Sequence, residues 1–202
     1  MGTQSHSMLV WATTVSRWGV WGGGILTLLS ACLVCFDVIV RKVFAISVGG
    51  ADELSGYAFA ISTTWSLALV VLERANVRVD ILYQHFSVRV AAILDWVSLV
   101  ALAVFLTMLT RYSYEVLTTS WIQKSFANTP LATPLWIPQG LWFIGMVWMV
   151  FVLALMLSRA SRALVTGDYQ SINKLAGARL SKEEALEEAQ AGQRRVQEDR
   201  TL

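Results

Sequence analysis

Charge is scarce in this chain. Lys, Arg, Asp and Glu make up 15% of its 202 residues, where a soluble globular domain carries about 25%. Cysteine and histidine are scarcer, with two of each, and there are only three prolines. Each shortage excludes something. Two cysteines build no disulfide-stapled secreted fold. His6 lies in the N-terminal extension and His85 in a connection, so neither sits at membrane depth to hold a haem, and a His-rich zinc or di-iron site lacks its ligands. The net charge of +2 comes from dispersed basic residues, with no stripe to follow phosphates, so no nucleic-acid partner is expected. Met1 to Ser16 has no basic leader and no small-residue cleavage site follows the first apolar run, so that run is expected to stay as an anchor.

Apolar residues fill the space that charge leaves. They make up 55% of the chain, nine of its residues are Trp, and the mean hydropathy is +0.55. Crossing about 30 Å of hydrocarbon takes roughly 20 apolar residues. Four stretches approach that length: Trp18 to Val40, Ser55 to Leu72, Val90 to Thr110 and Leu141 to Ser158. The sequence therefore predicts an all-α integral membrane protein with four transmembrane helices. It divides into an N-terminal segment (1–17), a four-helix membrane domain (18–158) and a polar C-terminal tail (159–202) that is partly helical or disordered. Ser181-Lys182-Glu183-Glu184 in the tail fits a helix-capping box. With the N-terminus inside, the cytoplasmic side receives Arg17, Arg74, Arg78, Arg89, Arg159 and Arg162, and the outer side only Arg41, Lys42 and Lys124. The positive-inside rule then puts both termini in the cytoplasm.

The connections carry turn chemistry. Gly49-Gly50 breaks the chain before the second span, where Asp52 is placed to cap the helix and Glu53 to meet its positive N-terminus. Pro130, Pro134 and Pro138 all fall between the third and fourth spans, so that segment is a loop, re-entrant or lying on the surface. Trp121, Trp136, Trp142 and Trp148 flank it and suit an interfacial belt.

Candidate chemistry is thin. Cys32 and Cys35 form a CxxC, but inside an apolar span burial raises a thiol pKa, and packing accounts for small residues there. Asp37 and Asp95 are carboxylates in apolar spans, where a functional role is the default hypothesis. Each nevertheless sits within about two turns of a span end. Asp37 and Arg41 are spaced for a local ion pair, as are Arg111 and Glu115. No span holds enough polar groups to line a substrate path. Small residues at Gly22, Gly23, Gly24, Ala58, Ala60 and Ser62 suit close helix contacts. No catalytic, cofactor-binding or metal-binding residue emerges, and the chain reads as a scaffold rather than an enzyme. Two other classes compete: a membrane anchor or redox subunit using Cys32 and Cys35, and a stand-alone channel or carrier.

Several short motifs come in a telling order. Val38-Ile39-Val40-Arg41-Lys42-Val43-Phe44 closes the first span and Asp52-Glu53-Leu54 opens the second. Trp65 lies within the second, and Arg74-Ala75-Asn76-Val77-Arg78-Val79-Asp80-Ile81-Leu82 follows it. Thr133-Pro134-Leu135-Trp136-Ile137-Pro138 approaches the fourth. Trp18 to Ser158 thus resembles the DctQ-like small membrane subunit of tripartite ATP-independent periplasmic (TRAP) transporters. Asn76 stands where that family often has His, and Gly50-Ala51 where a Trp often precedes the acidic pair. The resemblance implies a subunit without catalysis or cofactor in a bacterial inner membrane. It would brace a large polytopic subunit that carries the sodium and substrate sites. A periplasmic binding protein would deliver the substrate, usually an organic acid, and is a second possible contact beside membrane lipid. Arg41, Asp52, Glu53, Arg74, Arg78 and Asp80 are the partner-contact or helix-end residues this implies.

Overall fold

The structure is a computed structural model that describes residues 2–46, 49–74, 86–169, 172 and 175. The sequence assignments to 75–82, including Arg78 and Asp80, lie outside the described residues, as do His85 and the capping box at 181–184. Four helices account for nearly all of what is described: α1 (Gly2–Phe44), α2 (Ala51–Leu72), α3 (Val88–Ile122) and α4 (Trp136–Thr166). All four are long and apolar enough to cross a membrane, so the all-α, four-span reading holds. Three extend well beyond the apolar runs. A helix needs no hydrophobic side chain to continue, only a backbone that is not interrupted, and neither proline nor a turn signal stops α1 before Phe44 or α3 before Ile122.

The helices form a row, in the order α1–α2–α4–α3. α1 lies antiparallel to α2, with Gly19 against Trp65 and Gly23 against Ser62. α2 runs parallel to α4, since Gly50 meets Leu131 at one end and Thr64 meets Gly145 further along. α4 is antiparallel to α3. The Tyr114 and Phe143 rings pack at 5.8 Å, and the Trp96 indole N–H reaches Ser161 Oγ at 2.9 Å. The core sits on α4, which touches all three other helices. Met146, Met149, Val152, Leu153, Met156 and Ala160 are buried there against Ala12, Ala68, Val71, Leu99 and Leu106.

Lipid tails are as apolar as leucine, so burial alone does not hold such a row together; close packing and interhelical hydrogen bonds do. Three indoles supply bonds. Besides Trp96, Trp65 Nε1 donates to the Leu141 carbonyl at 3.1 Å, joining α2 to α4, and Trp148 Nε1 donates to Ser16 Oγ at 3.0 Å, joining α4 to α1. Trp148 is half-buried and turns toward α1, edge-on to Trp11 at 5.4 Å. Small residues supply the close approach. Ser62 Oγ donates to Gly23 O at 2.8 Å, and Thr27 Oγ1 donates to Ser62 Oγ at 2.9 Å. Of the three consecutive glycines only Gly23 faces α2; a Cβ on Gly22 or Gly24 would meet open space.

Candidate partner-contact end

One end of the row gathers the C-terminus of α1, the N-termini of α2 and α4, and residues 123–135. α3 ends in a Schellman motif. Lys124 adopts a left-handed conformation, its N–H bonds Trp121 O at 3.3 Å, and Ser125 N–H bonds Ser120 O at 3.0 Å. The chain then folds into a small hairpin. Ala127 N–H donates to Thr133 O at 2.9 Å and Leu135 N–H to Ser125 O at 3.0 Å, so Phe126 and Pro134 face each other as an antiparallel pair. These flanking bonds make it a non-hydrogen-bonded pair, and the N–H that Pro134 lacks is not missed. Pro130 is the second residue of the tip turn, closed by Ala132 N–H to Thr129 O at 3.0 Å. Pro138 lies in the first turn of α4, where a backbone N–H has no intrahelical partner. The expected loop is thus a surface hairpin, and Pro138 belongs to the helix that follows it.

The hairpin tip sits on the start of α2. The N-cap there is Gly50, with φ +85° and no side-chain cap, so Asp52 is not the capping residue. Only glycine fits this position, because a Cβ would stand 2.1 Å from Leu131 Cδ1 and φ lies in the left-handed region. Asp52 and Glu53 occupy the first turn, where their charge meets the positive helix terminus. Glu53 fastens the two pieces: it accepts the Tyr57 hydroxyl on Oε1 at 2.8 Å and the Thr129 hydroxyl on Oε2. Asp52 remains exposed.

Arg41, on the last turn of α1, is half exposed and forms an ion pair with Asp37 one turn earlier. Asp37 is 2% exposed, so it is a buried carboxylate and not a boundary group open to water. Asp95, 1% exposed, is its counterpart near the opposite end of the row. Arg74 lies at that opposite end, in a left-handed conformation just past α2. The six residues drawn from the sequence are thus divided. Arg41, Asp52 and Glu53 share the hairpin end, Arg74 is a helix length away, and Arg78 and Asp80 lie outside the described residues. Thr129, Tyr57 and Leu131 were not singled out from the sequence. A hydroxyl in a loop gives no signal until the fold brings a carboxylate to it.

Cys32 and Cys35 are both exposed on α1. The outward side of the α1–α2 pair carries an open groove of about 680 Å³ lined by Gly24, Thr27, Ala31, Phe59, Thr63 and Ser66 among others. Among the described residues no three His, Cys, Asp or Glu side chains come together as a metal site would require.

No curated protein and no solved structure shows significant similarity to the chain. The family comparison is positive. The family model for the DctQ component of tripartite ATP-independent periplasmic transporters matches residues 30–163. That match takes in Asp37, Arg41, the acidic pair, the hairpin and most of α4. With well over half its length covered, this four-helix membrane chain belongs to the DctQ family, as a small membrane component of a TRAP transporter.

Proposed function

We propose that the chain is the scaffold subunit of its transporter, bracing a large membrane subunit during sodium-driven uptake of an organic acid. A binding protein on the periplasmic side would deliver that acid. The observation that carries this reading is the shape of the row. Four helices packed chiefly as a row, with α1 touching α4 toward one end, enclose no path for a solute among the described residues, and large apolar residues such as Trp18, Leu28, Phe36 and Phe105 stand exposed along it. Such faces suit lipid on one side and another membrane subunit on the other. The groove between α1 and α2, floored by small residues, would admit a partner helix closely. The chain itself would carry out no chemistry.

The family match supports a placement in the bacterial inner membrane, and the basic-residue bias supports both termini being cytoplasmic. The hairpin end, with Arg41, Asp52 and Glu53, then faces the periplasm, where exposed Asp52 is available to a partner. Arg74, Arg78 and Asp80 fall on the cytoplasmic side as helix-end or contact residues. On this division 1–17 and 159–202 flank the membrane domain.

The test is gentle affinity purification of the tagged chain from native membranes, with mass spectrometry of what co-elutes, followed by uptake assays in reconstituted vesicles. A stoichiometric polytopic partner, and sodium-dependent uptake that requires both subunits and the binding protein, is the expected result. Elution alone under conditions that keep other membrane complexes intact refutes it. So does partner-independent flux by the purified chain.

A further inference from the structure

Each helix of the row carries its own two polar boundaries. α1 has no charged residue between Arg17 and Arg41 except Asp37, which is buried and paired. α2 has none between Glu53 and Glu73, α3 only the buried Asp95 between Arg89 and Arg111, and α4 none before Arg159, with the neutral Gln139 as the polar side chain in its first turns. Each interval is about 20–24 residues, or roughly 30–36 Å of helix, the length that crosses hydrocarbon.

The boundaries do not lie level. Ser62 on α2 faces Gly23 on α1, Thr64 faces Gly145 on α4, and Phe143 on α4 packs on Tyr114 of α3. One level thus joins Gly23, Ser62, Phe143 and Tyr114. Measured from that level, the boundary on the hairpin side is about 18 residues away on α1, 9 on α2 and 4 on α4. On α3 it has already been passed by about 3. The opposite boundary moves the same way, at about 6, 11, 16 and 25 residues. Both edges of the apolar belt therefore slide by about 20 residues, roughly 30 Å, from one end of the row to the other.

We infer that the row crosses the bilayer obliquely, its helices tilted within the plane of the row, so that lipid meets a slanted apolar belt. Three helix spacings of about 9 Å span about 27 Å. Arg17 bounds one edge and Arg111 the other, so snorkelling removes about a turn from each edge's slide, which leaves about 25 Å and a tilt of about 40°. That is the steep end of the range for membrane helices. An upright row centred on α2 would set Arg111 and Glu115, 78% and 52% exposed, near the middle of the hydrocarbon, where exposed charge is costly. It would also push Leu94 and Val97 of α3 out into water. In the oblique arrangement Arg111 and Tyr112 come within about a turn of the interface on the hairpin side, and the rest of α3 beyond them, with Glu115 and Thr118, stands clear of hydrocarbon. The part of α1 before Arg17 stands clear on the other.

Cysteine accessibility separates the two arrangements. In a Cys32→Ser, Cys35→Ser background, Trp18→Cys, Leu29→Cys, Val97→Cys and Tyr112→Cys are made singly in the full chain, in native membranes. All four positions are exposed on the protein surface, so the substitutions spare the packing, and recovery of purified chain confirms folding. An impermeant maleimide is the probe. Leu29 is inside the hydrocarbon in either arrangement and sets the slow limit. The oblique row predicts Trp18 and Tyr112 reacting at least about tenfold faster than Leu29, from opposite sides of the membrane, and Val97 as slow as Leu29. The upright row predicts Val97 fast with Trp18 and Tyr112 slow. Tyr112 reacting no faster than Val97 overturns the inference, whatever the rates elsewhere.

Discussion

Gly23→Ala is the sharpest test of what holds α1 on α2. The new Cβ would stand 3.0 Å from Ser62 Cα and 3.3 Å from Ser62 O. Both are backbone atoms that no rotamer change can move, so the helices must part by several tenths of an ångström. Overpacking of this kind costs about 1–3 kcal/mol. The separation also lengthens the 2.8 Å bond from Ser62 to Gly23 O and disturbs the 2.9 Å bond from Thr27 to Ser62. Interhelical bonds in membranes average about 0.6 kcal/mol each. Against these losses, replacing a mid-helix glycine by alanine gains about 1 kcal/mol of helix propensity. The net expectation is a loss of about 2 kcal/mol. Gly22→Ala and Gly24→Ala are the internal controls. Each meets nothing within 4 Å, so each keeps the propensity gain and is neutral or slightly stabilising. The assay is thermal or steric-trap unfolding of the full chain in lipid nanodiscs, with the three variants side by side. The reasoning is refuted if Gly23→Ala is as stable as wild type, or if Gly22→Ala loses as much as Gly23→Ala.

Glu53→Gln weakens the tie between α2 and the hairpin, because the amide keeps one uncharged acceptor oxygen where Glu53 receives the Tyr57 and Thr129 hydroxyls on separate oxygens. Amide exchange at 126–134 should quicken by about fivefold to tenfold, while Asp52→Asn leaves it unchanged; equal effects from both would sink the assignment. Gly50→Ala should cost about 2–3 kcal/mol, and adding Leu131→Ala should recover the clash part of that loss, leaving about 1 kcal/mol from the positive φ. A double variant no more stable than the sum of the two single changes would contradict the contact. Trp65→Phe removes the donor to Leu141 O but keeps most of the ring, so unfolding in nanodiscs should show a loss of about 0.6–1.7 kcal/mol; no change would mean that the bond contributes nothing.

The sequence alone determined that four helices cross a membrane, since 20-residue apolar runs have no other stable form in hydrocarbon. It also placed the Asp37–Arg41 pair, because i,i+4 spacing is a property of one helix. The family was legible in the order of short motifs around Arg41, Asp52-Glu53 and Trp136. The ends of the helices were not, because apolar runs mark where lipid is and not where the backbone stops coiling. Neither was the cap of α2. Asp52 has a capping side chain, but the helix starts two residues earlier, where Leu131 packs so tightly that glycine takes the cap position at Gly50. Only the tertiary structure decided which glycine of Gly22-Gly23-Gly24 meets α2, that Trp148 turns inward to Ser16, and that Glu53 meets Thr129 across 76 positions of chain. Each of these depends on how far one helix has slid past its neighbour. That slide is set by contacts between residues distant in sequence, to which the periodicity of a single helix is blind. The same slide sets the level of every charge along the row, which is why the seat of the protein in its membrane is a tertiary property.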